Sequence, residues 1–118
     1  MMTENFSTEI MGMEQLDEVS GGGYIVTSRD SKFLNDLGGA DLCDCYGKFK
    51  TFFSSEIDNE VARAWQRCGI DVCIRQYADN VYIYKGEQIN RVKAMMIACE
   101  KYGKKLSDMN MDEYGINQ

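Results

Sequence analysis

The chain contains no histidine among its 118 residues. Histidine is the commonest general base, a frequent metal ligand and the usual activator of serine and cysteine nucleophiles. Its absence excludes Ser-His and Cys-His nucleophile pairs and any histidine-bound metal centre. We therefore expect a protein that is not an enzyme, with no catalytic residue, no metal and no cofactor.

Carboxylates offer little to replace the missing histidine. Asp41 and Asp44 form an i, i+3 pair, which is far more typical of a solvated surface than of acid–base catalysis. The stretch from Asp108 to Asp112 begins like a calcium loop, but Glu113 stands where that loop requires glycine. We interpret this stretch as a polar C-terminal turn.

Proline and long apolar runs are also missing. The longest apolar run, Ala94 to Cys99, is far shorter than the roughly 18 residues that cross a bilayer. No lysine or arginine precedes Arg29, and no apolar core of a signal peptide follows Met1. We expect no membrane span and no ordinary signal peptide.

Basic residues are scattered along the chain, and Lys104-Lys105 is the only adjacent pair. Nucleic acid is therefore not an expected partner.

Acidic residues without any accompanying base fill the front of the chain. Five of the 19 acids lie before Gly22, and all 13 bases follow it, so the remainder is nearly neutral. On a helical wheel the front segment has an acidic face and an opposite apolar face that carries Met11, Leu16 and Val19. A helix this short is marginal in water, so we expect it to fold on a partner.

The front segment ends in three glycines, within the stretch L-D-E-V-S-G-G-G-Y from Leu16 to Tyr24. The segment resembles the double-glycine leader peptides of bacteriocin-type and peptide-pheromone precursors. In that pattern a cut after Gly22 puts the three apolar residues at the distances of the leader anchors, whereas a cut after Gly23 puts them out of register. The segment departs from that pattern at Gln15, where glutamate is common.

The resemblance implies two parts, a leader of residues 1–22 and a mature secreted domain of residues 23–118. A peptidase-containing ABC transporter would recognise Met11, Leu16 and Val19, cut after Gly22 and export a bacteriocin-like or signalling polypeptide. The cleavage site would comprise Gly21, Gly22 and Gly23. Residues without a Cβ let the backbone enter a narrow papain-type cleft and keep the bond accessible. The precursor would be cytoplasmic and its product secreted.

Two other interpretations remain open. The glycines could be a flexible linker in a cytoplasmic binding or immunity-type module whose acidic tail is disordered. The chain could also be a precursor whose serine, threonine or cysteine residues are enzymatically modified. The large expected core disfavours the last interpretation, because such substrates are usually open and flexible.

The residues after the glycines predict a small α+β domain. We expect a strand over Gly23 to Ser28, a short helix capped by Asp30 or Ser31 and ended by Gly38-Gly39, and an ambiguous stretch over residues 40–53. Apolar spacing from Ile57 to Cys68 predicts a long helix capped at Ser54 or Ser55 and ended by Gly69.

Ile70 to Tyr77 and Val81 to Lys85 alternate with period two and predict an antiparallel hairpin. Tyr82 and Tyr84 should share one face of it, although the alternation leaves open which face is buried. A second main helix is predicted from Ile89, Val92, Met96 and Cys99, ending near Gly103. Together these elements predict a sheet of about three strands packed against two main helices, with an N-terminal leader that is disordered or a short helix.

The five cysteines all follow the glycines. Since a leader implies export, disulfides could offset a limited core. Cys43 and Cys45 are too close to pair with each other, so the candidate bridges join that loop to Cys68 or Cys73, which leaves Cys99 free. Reduced core cysteines are nearly as well supported. A four-thiolate zinc site is a third possibility, but its spacing lacks the usual two-residue knuckle.

Overall fold

The structure is a computed structural model that describes residues 23–47, 50–51, 54–75 and 78–116. The predicted leader lies outside these residues, and so do its anchors Met11, Leu16 and Val19 and the glycines Gly21 and Gly22. The described residues form an α+β domain in which helices pack on a three-stranded antiparallel sheet. The predicted fold class is therefore confirmed.

Helix α1 spans Gly23–Gly38, so the predicted strand over Gly23 to Ser28 is wrong. The buried positions of α1 recur every three or four residues and include Gly23, Thr27, Asp30, Leu34 and Leu37. Several of these buried residues are polar, so apolar residues alone do not recur at helical spacing here. The β-forming run that begins at Tyr24 therefore predicted a strand. Packing of this face outweighs the local preference for a strand. The helix ends where predicted, with Gly39 in the left-handed region at φ 73°.

Helix α2 spans Ser55–Arg67 and agrees with its prediction. Its buried face consists of Ile57, Val61, Ala64 and Trp65. Ser54 is the N-cap residue, although its side chain makes no capping hydrogen bond. Gly69, at φ 87°, ends the helical pattern. This helix was predictable because its apolar stripe and its end signal both lie in the local sequence.

The sheet contains strands β1 (Asp71–Cys73), β2 (Val81–Tyr84) and β3 (Glu87–Ile89) in that order. β1 pairs antiparallel with β2, with Val72 opposite Tyr82, so the predicted antiparallel pairing is confirmed. The first strand was predicted to run from Ile70 to Tyr77, but it ends at Cys73, and Ile74 and Arg75 lie outside it. Tyr77 is not among the described residues. Tyr82 is buried, so the tyrosine face of β2 points to the core.

The third strand is β3 and not the predicted segment at the start of the domain. β2 and β3 are joined by Lys85 and Gly86, whose φ values of 51° and 83° are the positive pair that a tight type I′ turn requires. The prediction missed this turn because lysine is an uncommon residue at such a position. β3 itself is polar and only three residues long, so it carries almost no periodic signal.

Helix α3 spans Arg91–Lys101, and the Asn90 side chain caps it by accepting a 2.8 Å hydrogen bond from the Lys93 backbone N–H. Its buried residues are Ala94, Met95, Ala98 and Cys99. Of the four predicted stripe residues only Cys99 is buried in α3, because Ile89 belongs to β3, Val92 is 39% exposed and Met96 is 57% exposed. The run Ala94 to Cys99 is apolar all round the helix, so its period does not identify the buried face.

Aromatic rings and two short 3₁₀ turns complete the core. The turns span Leu106–Asp108 and Met111–Tyr114. Phe33 stacks on Trp65 at 5.7 Å between ring centroids and meets the edge of Tyr114 at 5.3 Å. Trp65 in turn contacts Tyr82 edge to face at 5.4 Å. These contacts join α1, α2, β2 and the C-terminal turns in one core.

A buried ion pair crosses this core. The Asp30 carboxylate, fully buried on α1, accepts a 2.7 Å hydrogen bond from Arg91 Nε and a 2.5 Å bond from the Tyr82 hydroxyl. Arg91 Nη1 also donates to the Tyr114 carbonyl oxygen at 2.7 Å. Burial and the Asp30 charge raise the pKa of Tyr82 well above its ordinary value. The pair therefore connects α1, β2, α3 and the C-terminal turn.

We predict that Arg91→Met lowers the free energy of unfolding by about 3–5 kcal/mol, because it leaves a buried carboxylate without its cation. Urea unfolding followed by fluorescence of Trp65, the single tryptophan, measures this change. Lys32→Met is the matched control, since it removes a cation 3.1 Å from Asp36 at a partly exposed site and should change stability little. Equal effects of the two substitutions would contradict the importance assigned to burial.

Candidate functional site

The predicted cleavage point lies between Gly22 and Gly23. Gly21 and Gly22 are outside the described residues, whereas Gly23 lies in α1 and is buried. Of the predicted cleavage-site residues, only Gly23 can therefore be examined in its folded surroundings. Its contacts show what the body requires of this glycine.

Gly23 packs against backbone. A Cβ at this position would overlap the carbonyl oxygens of Arg75 and Ala78. Its φ is not among the positive values, so the need for glycine here comes from space and not from backbone conformation. Any larger residue would displace the chain from one of these carbonyl groups.

Hydrogen bonds hold the first turn of α1 in this position. Thr27 Oγ1 donates to the Gly23 carbonyl oxygen at 2.9 Å and accepts from Asn80 Nδ2 at 3.0 Å. The Asn80 side chain also accepts a 2.9 Å bond from the Arg75 backbone N–H. Thr27 is fully buried and Asn80 is 8% exposed. We call Gly23, Thr27, Arg75, Ala78 and Asn80 the N-terminal lock.

The N-terminal lock is a packing arrangement and contains no nucleophile paired with a base. Sequence reasoning identified Gly23 but missed Thr27 and Asn80. The signal for Thr27 was its spacing of four residues from Gly23 and from Ser31, which places all three on one helical face. Asn80 carried no local signal, because its partner lies 53 residues away in the chain.

The carboxylate pair Asp41 and Asp44 is exposed, as expected of a solvated surface. Nearby, Glu60 accepts hydrogen bonds from the Asp44 backbone N–H at 2.9 Å and from the Tyr46 hydroxyl at 2.6 Å. Burial alone would raise the pKa of Glu60, but these two hydrogen bonds and the charge of Arg63 together lower it. The bond to Glu60 is also the main cause of the raised pKa of Tyr46. Glu60 thus fastens this loop to α2 in its charged form.

All five cysteines are free thiols, so the structure contains none of the predicted bridges from Cys43 or Cys45 to Cys68 or Cys73. Cys43, Cys68 and Cys99 are buried and act as small apolar core residues. Burial raises the pKa of Cys43 to about 12 and that of Cys68 to about 11. Cys45 and Cys73 are exposed. Packing of neutral thiols in the core has taken the place of the expected cross-links.

Neither a metal site nor a spanning helix is found in the described part of the chain. No group of three or more Cys, Asp or Glu residues there is placed to hold a metal ion, so the zinc alternative has no support among these residues. Asp108 belongs to the first 3₁₀ turn and Asp112 to the second, with Met109 and Asn110 between them. None of the described helices has the length and apolar character needed to cross a membrane.

Two surface depressions border the C-terminal 3₁₀ turns. An open groove of about 800 Å³ is lined by apolar side chains that include Val92, Met96, Ile97 and Leu106. A second, more polar depression of about 610 Å³ is lined by Asp36, Lys104, Asn110 and Tyr114, among others. The Tyr114 hydroxyl donates to Asp36 at 2.6 Å and Lys104 Nζ to the Leu37 carbonyl oxygen at 3.1 Å. These polar groups join the end of α1 to the C-terminal turns.

We predict that Gly23→Ala lowers the free energy of unfolding of the full chain by about 1–3 kcal/mol, because a methyl group must displace a backbone carbonyl. Gly47→Ala is the matched control. No atom lies within 4 Å of a Cβ at Gly47, so its effect should stay within about 0.5 kcal/mol. Urea unfolding compares the two variants, and an unchanged stability of Gly23→Ala would contradict the packing described here.

We predict that two cysteines, Cys45 and Cys73, react with iodoacetamide in the folded protein at pH 8, and that the other three react only after unfolding. Burial keeps the reagent away from Cys43, Cys68 and Cys99. It also raises the pKa values of these thiols, so little thiolate forms at this pH. Intact-mass spectrometry counts the adducts with time. A folded protein lighter by two hydrogens per bridge, with fewer reactive thiols, would contradict this prediction.

Comparison of the chain with protein-family models, with curated proteins and with solved structures found no match. No residue role is therefore carried over from a relative to the described domain.

Proposed function

We propose that the chain is the precursor of a secreted bacteriocin-like or signalling polypeptide. Residues 1–22 are its leader, and the peptidase domain of an ABC transporter removes them after Gly22 and exports residues 23–118. The observation that carries this proposal is the spacing of Met11, Leu16 and Val19 ahead of Gly21-Gly22. The catalytic nucleophile belongs to the transporter, and this chain is its substrate and cargo.

The contacts of Gly23 support this division of the chain. Gly23, the residue that would follow the cut, is buried in α1 against the carbonyl oxygens of Arg75 and Ala78, so it belongs to the folded body. The hydrophobic core of the described residues extends from Phe33 to Ile116.

The mature domain favours a specific target over membrane permeabilisation. Simple membrane-active peptides are cationic and amphipathic, whereas residues after Gly22 are nearly neutral. The described residues also form a packed core around Trp65, Phe33 and Tyr114. A folded toxin or ligand that recognises one partner fits these properties better than a short lytic peptide.

A cytoplasmic binding or immunity-type module is the second candidate, and the free cysteines favour it. Disulfides are common in small exported domains and rare in the reducing cytosol. The five free thiols of this chain, three of them buried, are therefore typical of a cytosolic protein. In this interpretation the acidic segment before Gly23 is a tail and is never removed.

We predict that intact-mass analysis of a culture that also expresses the cognate transporter finds a species beginning at Gly23 in the medium. Leu16→Lys should abolish its appearance, because a charge would replace an apolar anchor of the leader. Asp17→Lys is the matched control, since it introduces the same side chain on the acidic face of the same segment, and it should leave processing largely intact.

The two candidates give opposite results in this experiment. Full-length protein confined to the cell pellet, in the presence of an active transporter, would support the cytoplasmic module and overturn the precursor. Circular dichroism of the purified variants should show the same folded domain in each case, because residues 16 and 17 belong to the proposed leader and not to residues 23–118.

A further inference from the structure

The N-terminal lock places the residue after the proposed cut inside folded structure. Gly23 is helical and buried, and its Cα faces the carbonyl oxygens of Arg75 and Ala78 too closely to admit a methyl group. A papain-type peptidase requires extended chain on both sides of the bond that it cuts. The folded body and the peptidase therefore require different conformations of the same residue.

We propose that the N-terminal lock makes leader removal conditional on the folding state of the body, so that the peptidase cuts the chain only while the first turn of α1 is open. This inference rests on the proposed function, because it assumes a cut after Gly22. The folded precursor is then a poor substrate, and the chain that is processed is one that has not yet folded or has opened locally.

The contacts explain why opening is costly. Releasing Gly23 from the helix breaks the bond from Thr27 Oγ1 and removes the backbone from its place against Arg75 and Ala78. If the whole turn opens, buried Thr27 also leaves Asn80, whose side chain accepts a hydrogen bond from the Arg75 N–H. Buried polar groups that lose their partners are costly, so the open form is rare in the folded protein.

Opening also sets the rate of cleavage. When a structure opens and closes faster than it is cut, proteolysis follows the equilibrium population of the open form. A lock that is open in a tenth of molecules or fewer slows cleavage about tenfold or more relative to a bond outside the fold. Substitutions that weaken the lock should raise the rate even when they are far from the cut bond in sequence.

The test compares two folded full-length substrates of the purified peptidase domain of a double-glycine-leader transporter. One is the natural chain, and the other carries the insertion Gly-Ser-Ser-Gly-Ser-Ser between Gly22 and Gly23. The insertion keeps a glycine after the cut bond, moves that bond up to roughly 20 Å along extended chain from the helix, and leaves the lock intact. We expect the inserted chain to be cut about tenfold faster or more.

Thr27→Val provides the second comparison, because it removes the hydroxyl that bonds Gly23 and Asn80 while nearly keeping the shape of the side chain. It should speed cleavage of the natural chain several-fold and leave the inserted chain unchanged. Equal rates for the natural and inserted chains would overturn this inference while leaving the proposed function standing. Failure of the peptidase to cut the inserted chain after Gly22 would overturn the proposed function itself, and this inference with it.

Discussion

The buried carboxylate of Asp30 is the constraint on which the arrangement of the domain depends. A charge with no exposure is tolerated only with strong partners, and here these come from Arg91 on α3 and Tyr82 on β2. The polar face of α1 can therefore occupy only one position relative to the sheet. Thr27 lies one turn before Asp30 and Gly23 lies one turn before Thr27, so the ion pair also positions Gly23. The N-terminal lock is thus an extension of the contact that orders the core.

Predictions from the sequence succeeded where the stabilising contacts are local and failed where they are distant. α2 and the β1–β2 hairpin follow from apolar spacing and end signals, which are visible in a window of a few residues. α1 was predicted as a strand at its start because Tyr24 to Thr27 favour extended structure, whereas its helical face is held by partners 50 or more residues away. The buried face of α3 was also misassigned, because Ala94 to Cys99 is apolar on every side and only tertiary packing selects Met95 over Met96.

The candidate site divides in the same way. The leader pattern is a matter of spacing along an extended or helical peptide, so it can be recognised without a fold. The need for glycine at position 23 of the folded body cannot be recognised from the local sequence. It arises from the carbonyl groups of Arg75 and Ala78, more than 50 residues further along the chain, which leave no space for a Cβ. The cysteines illustrate the opposite error. The number of cysteines and the expected export route suggested disulfide bridges. In the structure Cys43, Cys68 and Cys99 instead pack in the core as free thiols.

The run of three glycines thus serves two requirements that meet at one peptide bond. In the proposed precursor, Gly21 and Gly22 must lie extended in a narrow cleft, while Gly23 must lie in a helix against two carbonyl groups. The lock uses the Cα and the carbonyl oxygen of Gly23, and its described contacts do not involve the nitrogen that a cut would release. A chain that starts at Gly23 can therefore form the same lock as the full-length chain. Folding after removal of the leader loses none of these contacts, whereas folding before removal protects the bond. Cleavage followed by folding is the order that satisfies both requirements.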